Sequence, residues 1–154
     1  MKRTLLASTM AAAILGAAAL GVSAIAAPTI TTSIPERADN FQLTDHTRLA
    51  HELFYFSYSP AIVVMSQSNG SKVSREAAAE LAKIQAAYKD KGVLFYMMNS
   101  NLDQTREATA AEAKAQKFAM PVLMDELQLV GEQLGVQREG EVFVIEPKTG
   151  FKVA

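Results

Sequence analysis

Apolar and polar positions follow two different periods along the chain, and each change of period predicts a change of element. Residues 41–56 contain a short alternating segment, a polar turn and a second apolar piece, a pattern that predicts a small hairpin. The continuous apolar runs at 61–65 (AIVVM) and 93–98 (VLFYMM) are typical of strands covered on both faces. The segments PVLMDE and EVFVIEP predict two further strands, and a Pro-Lys-Thr-Gly turn connects the second to a last short strand, FKVA.

Between these strands, apolar residues recur every three or four positions, which predicts helices with one buried face. The first helix ends near Gly92, and its predicted buried stripe is Val73, Ala77, Leu81, Ile84 and Tyr88. The second begins near Asp103, and its weaker stripe is Ala108, Ala111, Ala115 and Phe118. The third is short, ends at Gly135, and carries Leu127, Val130 and Leu134.

Strands that alternate with helices of this length predict an α/β fold, with a central mixed sheet flanked by helices. The last strand is short, and no final helix follows it to cover that face of the sheet. We therefore expect either a C-terminally truncated domain or a sheet edge that another part of the molecule closes.

Composition narrows the classes of function. The chain has 154 residues, 49% of them apolar, a proportion that suffices for one domain with its own core. Basic and acidic side chains nearly cancel, 15 against 16, so nucleic acid is not an expected partner. The chain contains no cysteine, which excludes disulfides, thiolate metal sites and any thiol nucleophile.

The first 26 residues have the pattern of a secretory signal peptide. Two cations, Lys2 and Arg3, precede an apolar stretch rich in alanine, and the small residues Ala24 and Ala26 frame a cleavage site. We expect a signal peptide over 1–26, a linker over 27–39 and one domain over 40–154. Export follows, by secretion or, if the source has an outer membrane, to the periplasm, with no membrane association after cleavage; an uncleaved anchor is the alternative.

The segments KGVLFYMMNSN, LMDELQLVGEQLGV and EVFVIEP occur in this order over residues 40–154, and the region resembles the thioredoxin-like redoxin family of the alkyl hydroperoxide reductase and thiol-specific antioxidant type. The resemblance implies a thioredoxin-like fold and an antioxidant or thiol-disulfide oxidoreductase ancestry. It places the reactive loop between the first core strand and the first helix, at residues 66–72. Similar members carry Gly-Cys-Pro where this chain has Gly70, Ser71 and Lys72.

Ser71 thus stands at the position that the resemblance implies for the nucleophile. A cysteine at a helix N-terminus becomes a thiolate because the helix dipole stabilises negative charge, whereas a serine hydroxyl is too weak an acid and forms neither a disulfide nor a sulfenic acid. We therefore expect no thiol catalysis, no catalytic residue and no cofactor. We interpret Ser71 as a structural residue, the N-cap of the first helix, and Lys72 as a solvated surface charge.

Many thioredoxin-like proteins place a cis-proline in the loop that faces the nucleophile, but this chain has none at residues 138–141. A cis bond without proline costs about 2.5 to 4 kcal/mol, so we expect trans bonds there. The hypothesis that follows is a redox-silent binding module whose partner is a periplasmic protein. The candidate binding residues are Asn69, Gly70, Ser71, Lys72, Arg138, Glu139, Gly140 and Glu141.

Two alternatives stay open. Ser71 could serve an enzyme of different chemistry, although this needs a base, and the only histidines, His46 and His51, lie in the hairpin region. The chain could also be a truncated fragment without a function of its own. No metal site is expected, because a spacing of five residues suits neither a helical nor a strand pair of ligands, and both histidines are interpreted as solvated. The methionines are interpreted as core residues.

Overall fold

In the computed structural model of this chain, residues 34–154 are described, so the predicted signal peptide and most of the predicted linker lie outside the described residues. The described part forms a seven-stranded sheet with the strand order β2-β1-β5-β4-β3-β6-β7. The strands are β1 (Gln42–Asp45), β2 (Ala50–Glu52), β3 (Ile62–Gln67), β4 (Leu94–Asn99), β5 (Val122–Met124), β6 (Val142–Glu146) and β7 (Lys152–Val153). The helices are α1 (Lys72–Ala87), α2 (Arg106–Gln116) and α3 (Leu129–Leu134).

The sheet is mixed, as the alternation of strands and helices predicts. β5, β4 and β3 are parallel neighbours in this order, β4 is the middle strand of the sheet, and all six residues of β3 beside it are buried. The hairpin β1–β2 pairs antiparallel with β5, and the β6–β7 hairpin pairs antiparallel with β3. The parallel strands bring the carboxyl ends of β3 and β4 together, which is the edge where α/β sheets usually bind ligands.

Successive residues of the central strands enter two separate apolar clusters because strand side chains alternate between faces. On one face, Val63 and Met65 of β3 pack with α1 and with Ala113 of α2. On the other face, Val64 packs with Val130 and Leu134 of α3. Both faces of the central sheet are therefore covered, as the continuous apolar runs predict.

The outer edge of β7 is closed by the chain's own N-terminal segment. Arg37 forms an antiparallel bridge with Lys152, the Val153 N–H donates to the Glu36 carbonyl at 3.0 Å, and Ala38 is buried in the second cluster. This finding supplies the closed edge that the sequence left open. Within the predicted linker over 27–39, residues 36–38 thus pair with β7, and the predicted domain boundaries stay a prediction.

The predicted elements are confirmed, but the buried faces of the first two helices are not. In α1 the buried residues are Ser74, Ala78 and Leu81, while three members of the predicted stripe, Val73, Ile84 and Tyr88, are exposed. In α2 the buried residues are Thr109 and Ala113. Relative to the prediction, both helices are rotated so that a small residue with a hydroxyl group faces the sheet. These residues are Ser74 and Thr109, and their hydroxyls accept hydrogen bonds inside the fold.

Within residues 34–154, no helix combines the length and hydropathy that a bilayer span requires.

Candidate functional site

The loop between β3 and α1 is built around a helix N-cap. Ser71 has an extended backbone conformation, and its Oγ accepts a hydrogen bond from the Ser74 N–H at 3.1 Å. Gly70 precedes it with a φ of +78°, a left-handed conformation that glycine adopts without strain. The predicted N-cap role of Ser71 is therefore confirmed, and its hydroxyl satisfies one of the free N–H groups of the first helical turn.

The Ser71 hydroxyl also has an acidic partner that the sequence analysis does not pair with it. It donates a short hydrogen bond to Oε2 of the Glu139 carboxylate. Lys72 points elsewhere and forms an exposed ion pair with Glu76, with 3.6 Å between Nζ and Oε1. The interpretation of Lys72 as a solvated surface charge is confirmed, and the helix end already holds a carboxylate of the same chain.

The loop that carries Glu139 is fixed to β3 through Ser66, a residue that the sequence analysis does not single out. The Ser66 Oγ donates to the Arg138 carbonyl at 2.6 Å and accepts from the Glu141 N–H at 3.0 Å. Its backbone accepts from the Gly140 N–H at 2.9 Å. No cis peptide bond occurs among the described residues. The backbone of this loop is therefore largely committed to bonds inside the protein.

Glycine at position 140 lets the loop lie against α1. A Cβ added there would be 3.2 Å from the Val73 side chain and 3.4 Å from the Ala77 side chain, and the φ of Gly140 is +79°. The two predicted segments, Asn69–Lys72 and Arg138–Glu141, are thus brought together as expected. A cleft of about 200 Å³ opens beside them, and Ser66, Gln67, Asn101, Arg138 and Glu139 are among the residues that line it.

A buried network of amide side chains holds the Ser68–Ser71 loop in place. The Asn99 Nδ2 donates to Gln67 Oε1 at 3.1 Å and to Gln104 Oε1 at 2.7 Å. Asn69 enters the network by donating from Nδ2 to the Thr109 Oγ1 at 3.0 Å. Sequence reasoning missed these residues, although the amides of Gln67 and Asn99 directly follow the two apolar runs and mark where the buried strands end.

The charges at the loop come mainly from carboxylates. Glu112 of α2 accepts from the Gly70 N–H at 3.3 Å and lies 3.9 Å from the Arg75 guanidinium. Arg75 in turn donates to the carbonyls of Gly70 and Ser71, at 2.5 Å and 3.1 Å. Two carboxylates, Glu139 and Glu112, therefore face the start of α1. The Gly70 and Ser74 N–H groups are already hydrogen-bonded within the chain, so neither is free to bind an external anion.

The histidines are structural, which corrects their interpretation as solvated. His46 Nδ1 accepts from the Val122 N–H at 3.1 Å, and this bond ties the hairpin to β5. His51 is largely buried, and its Nε2 lies 2.9 Å from Oδ2 of Asp45, itself buried. Burial acts to raise the pKa of Asp45, but hydrogen bonds from Thr47, His51 and Leu49 outweigh it and hold that pKa below the ordinary value.

Tyr96 packs edge-on against the His51 ring at 5.0 Å between ring centres. Burial, with Tyr58 and Asp45 nearby, raises the pKa of Tyr96 to about 12, so this phenol stays neutral. Within residues 34–154, no three histidine, aspartate or glutamate side chains are grouped in a way that could hold a metal ion. The five methionines interpreted as core are all buried: Met65, Met97, Met98, Met120 and Met124.

Comparison with known proteins now gives this geometry a context. Residues 34–151 match the model of the AhpC/TSA family. A hypothetical protein from Sinorhizobium meliloti is similar at 27% identity and a TM-score of 0.68, over 79% of this chain and 68% of that one. No curated protein matches the chain.

More distant structures share the fold. A peroxidoxin from Mycobacterium tuberculosis is 19% identical, with a TM-score of 0.63 over 76% of this chain and 79% of its own. The thioredoxin domain of a thiol-disulfide oxidoreductase from Bacteroides vulgatus is 18% identical, with a TM-score of 0.67 over 79% and 86%. The mixed sheet flanked by helices is thus a thioredoxin-like fold, and the chain belongs to the AhpC/TSA family.

Proposed function

We propose that this chain is an exported, redox-silent member of its family that acts as a binding module through the face formed by Asn69–Lys72 and Arg138–Glu141. The observation that supports the proposal is the hydrogen bonding of the Ser71 hydroxyl. Its hydroxyl accepts from the Ser74 N–H and donates to Glu139, so the atom at the expected nucleophile position is engaged on both sides. With no cysteine in the chain, neither a thiolate nor a disulfide can form.

Export rests on the sequence pattern of residues 1–26 and on the family's similarity to proteins of thiol-disulfide exchange. A structural neighbour from Chlorobium tepidum is described as a putative thiol:disulfide interchange protein of the DsbE type, with 16% identity.

A periplasmic protein is the partner class we propose, because the face combines charged side chains with exposed apolar ones. Val73 and Val142 flank the two loops with 55% and 45% of their surface exposed.

The test is a pair of assays on the purified protein after metal removal: thiol-dependent peroxide reduction and insulin reduction. We expect rates equal to those of buffer for the wild-type chain. Turnover above that level would contradict redox silence. The double variant Ser71→Cys, Glu139→Gln provides the positive control, because it supplies a thiol at this site without the neighbouring carboxylate.

A second candidate, hydrolysis by Ser71, is favoured by one observation: Glu139 is a potential base within hydrogen-bonding contact. A carboxylate is a weak base for a serine hydroxyl, and both histidines are bound in the β1–β2 region instead. Activity on ester or phosphoester substrates that disappears in both Ser71→Ala and Glu139→Gln would support this candidate. Activity that survives both substitutions would exclude it.

A further inference from the structure

A wide groove lies away from the face considered so far. It has a volume of about 690 Å³ and runs between β1 with its preceding residues 39–41 on one side and the β5–α3 connection on the other. None of the candidate binding residues lines it. Its apolar lining includes Phe41, Leu43 and Val130 at the base, and Leu127 and Leu129 at the rim. These two leucines expose 73% and 61% of their surface.

The groove exists because β1 and β5 pair over only two residues. Thr44 is opposite Met124 and Asp45 is opposite Leu123, and no further pair extends this ladder towards Phe41. β1 remains paired with β2 along its whole length, so one side of the strand stays occupied. On the other side the chain after Met124 turns away into α3, and a space is left beside β1.

Backbone groups of β1 face this space. The Phe41 carbonyl accepts from Leu53 and the Asp45 N–H donates to Leu49, so the odd-numbered residues bond to β2. The His46 N–H donates to the Val122 carbonyl, so the even-numbered residues face β5. Gln42 is even-numbered and lies beyond the end of the β1–β5 ladder. Its N–H and C=O therefore point into the groove, which makes this stretch of β1 an open strand edge.

The charges at the rim favour a cationic occupant. Asp39 and Glu126 are both exposed and both line the groove. Arg106 also lines the groove, but its guanidinium is engaged by Glu126 at 3.2 Å and by the Asp45 carbonyl, so of these three charges the net excess is one negative charge, at Asp39. A second copy of this chain placed by two-fold symmetry would bring the same acidic rim against itself, which is unfavourable.

We propose that this groove binds an extended peptide segment of a partner protein, in which basic residues alternate with apolar ones. The segment adds a strand beside Gln42 and forms main-chain hydrogen bonds to it. Every second side chain then lies on the apolar base, and a basic side chain between them meets the Asp39 carboxylate at the rim. This is a second binding site, and it does not depend on the function proposed for the Ser71 face.

The test uses the full chain labelled with ¹⁵N and an acetylated, amidated heptapeptide of alternating lysine and valine. We expect saturable shifts of the Gln42 and Leu43 amide signals, and an affinity in the micromolar range that weakens with added salt. A heptapeptide with glutamate in place of lysine, and one methylated at alternate backbone nitrogens, should both bind at least about tenfold more weakly.

The decisive variant is Leu127→Ser with Leu129→Ser, whose side chains are exposed and whose replacement leaves the core intact. It should weaken the lysine-valine peptide by about tenfold or more, whereas Leu102→Ser, equally exposed at 70% but outside the groove, should change it less than about twofold. Absent shifts at Gln42 with millimolar peptide, or binding indifferent to the leucine pair, overturns the proposal. Concentration-dependent shifts of the same signals without peptide would overturn it in favour of self-association.

Discussion

At the scale of single residues, the side-chain atom at position 71, an oxygen in place of a sulfur, determines whether thiol chemistry is possible. The helix start that would stabilise a thiolate is present, since α1 begins at this position and Ser71 caps its first turn. Besides the missing thiol, the neighbouring charge is unfavourable for a thiolate. Glu139 places a carboxylate where a thiolate would need positive potential, so restoring a cysteine alone leaves the site poorly suited to thiol chemistry.

The carboxylate of Glu139 should affect the acidity of a thiol placed at position 71. In Ser71→Cys the carboxylate of Glu139 should disfavour the thiolate, and adding Glu139→Gln should lower the thiol pKa by about one unit or more. The pH dependence of thiolate absorbance near ~240 nm, or of alkylation rate, measures this difference. Glu132→Gln in the same background is the control, because Glu132 is exposed on α3. Equal pKa values with and without Glu139 would show that its charge does not act on this position.

The lowered pKa of Asp45 predicts the acid sensitivity of the fold. Because the folded state holds this carboxyl ionised more strongly than the unfolded chain, Asp45 contributes stability above its ordinary pKa of 3.8, and this contribution is lost as pH falls through the lower folded value. The urea concentration at the unfolding midpoint of the wild type should therefore decrease when the pH is lowered below about 4. In Asp45→Asn the protein should be less stable at neutral pH, and its midpoint should depend less on pH. Asp39→Asn, an exposed control, should keep the wild-type slope.

At the scale of elements, hydrophobic pattern predicted which segments become strands and helices but not which helix face is buried. The apolar runs that became β3 and β4 are unambiguous because both of their faces are covered. Helix α1 is different. Its apolar residues Val73 and Ile84 lie on an exposed side, whereas Ser74 is fully buried and accepts from the Ser68 N–H. Polar residues buried by specific hydrogen bonds give no periodic signal, so the amide network was also missed.

The amide network should respond to loss of a single acceptor. Thr109 is fully buried on α2, and its Oγ1 accepts from Asn69 and, at 3.4 Å, from Asn99. Thr109→Val keeps the shape of the side chain but leaves these donors short of a partner, so we expect a loss of about 1 to 3 kcal/mol in the free energy of unfolding. Thr109→Ser retains the hydroxyl and should lose less. Urea denaturation compares the two; a larger loss in the serine variant would indicate that packing, not the hydroxyl, matters here.

At the scale of the whole molecule, the sheet is completed by a segment that the sequence pattern assigned to a linker. Residues 36–38 are polar or small, and nothing in their periodicity indicates a strand. They are ordered through backbone bonds to β7 and through Ala38, which packs among Leu53, Phe151 and Val153 in one cluster. Long-range pairing of this kind depends on where β7 ends in space, which local sequence does not encode. Residues 36–38 are therefore an integral part of the folded unit.

Ala38→Asp tests whether that closure matters for the stability of the entire domain. The substitution would place a carboxylate among apolar side chains at a position with only 4% of its surface exposed. Burying an unpaired charge costs several kcal/mol, so we expect a fall of about 3 kcal/mol or more in the free energy of unfolding. Ile34→Asp, four residues earlier and 60% exposed, should stay within about 0.5 kcal/mol of the wild type. If residues 36–38 only lay on the surface, the two variants would unfold alike. If these residues close the sheet, Ala38→Asp alone should shift the whole cooperative unfolding transition. Circular dichroism and tyrosine fluorescence, recorded together, measure that transition.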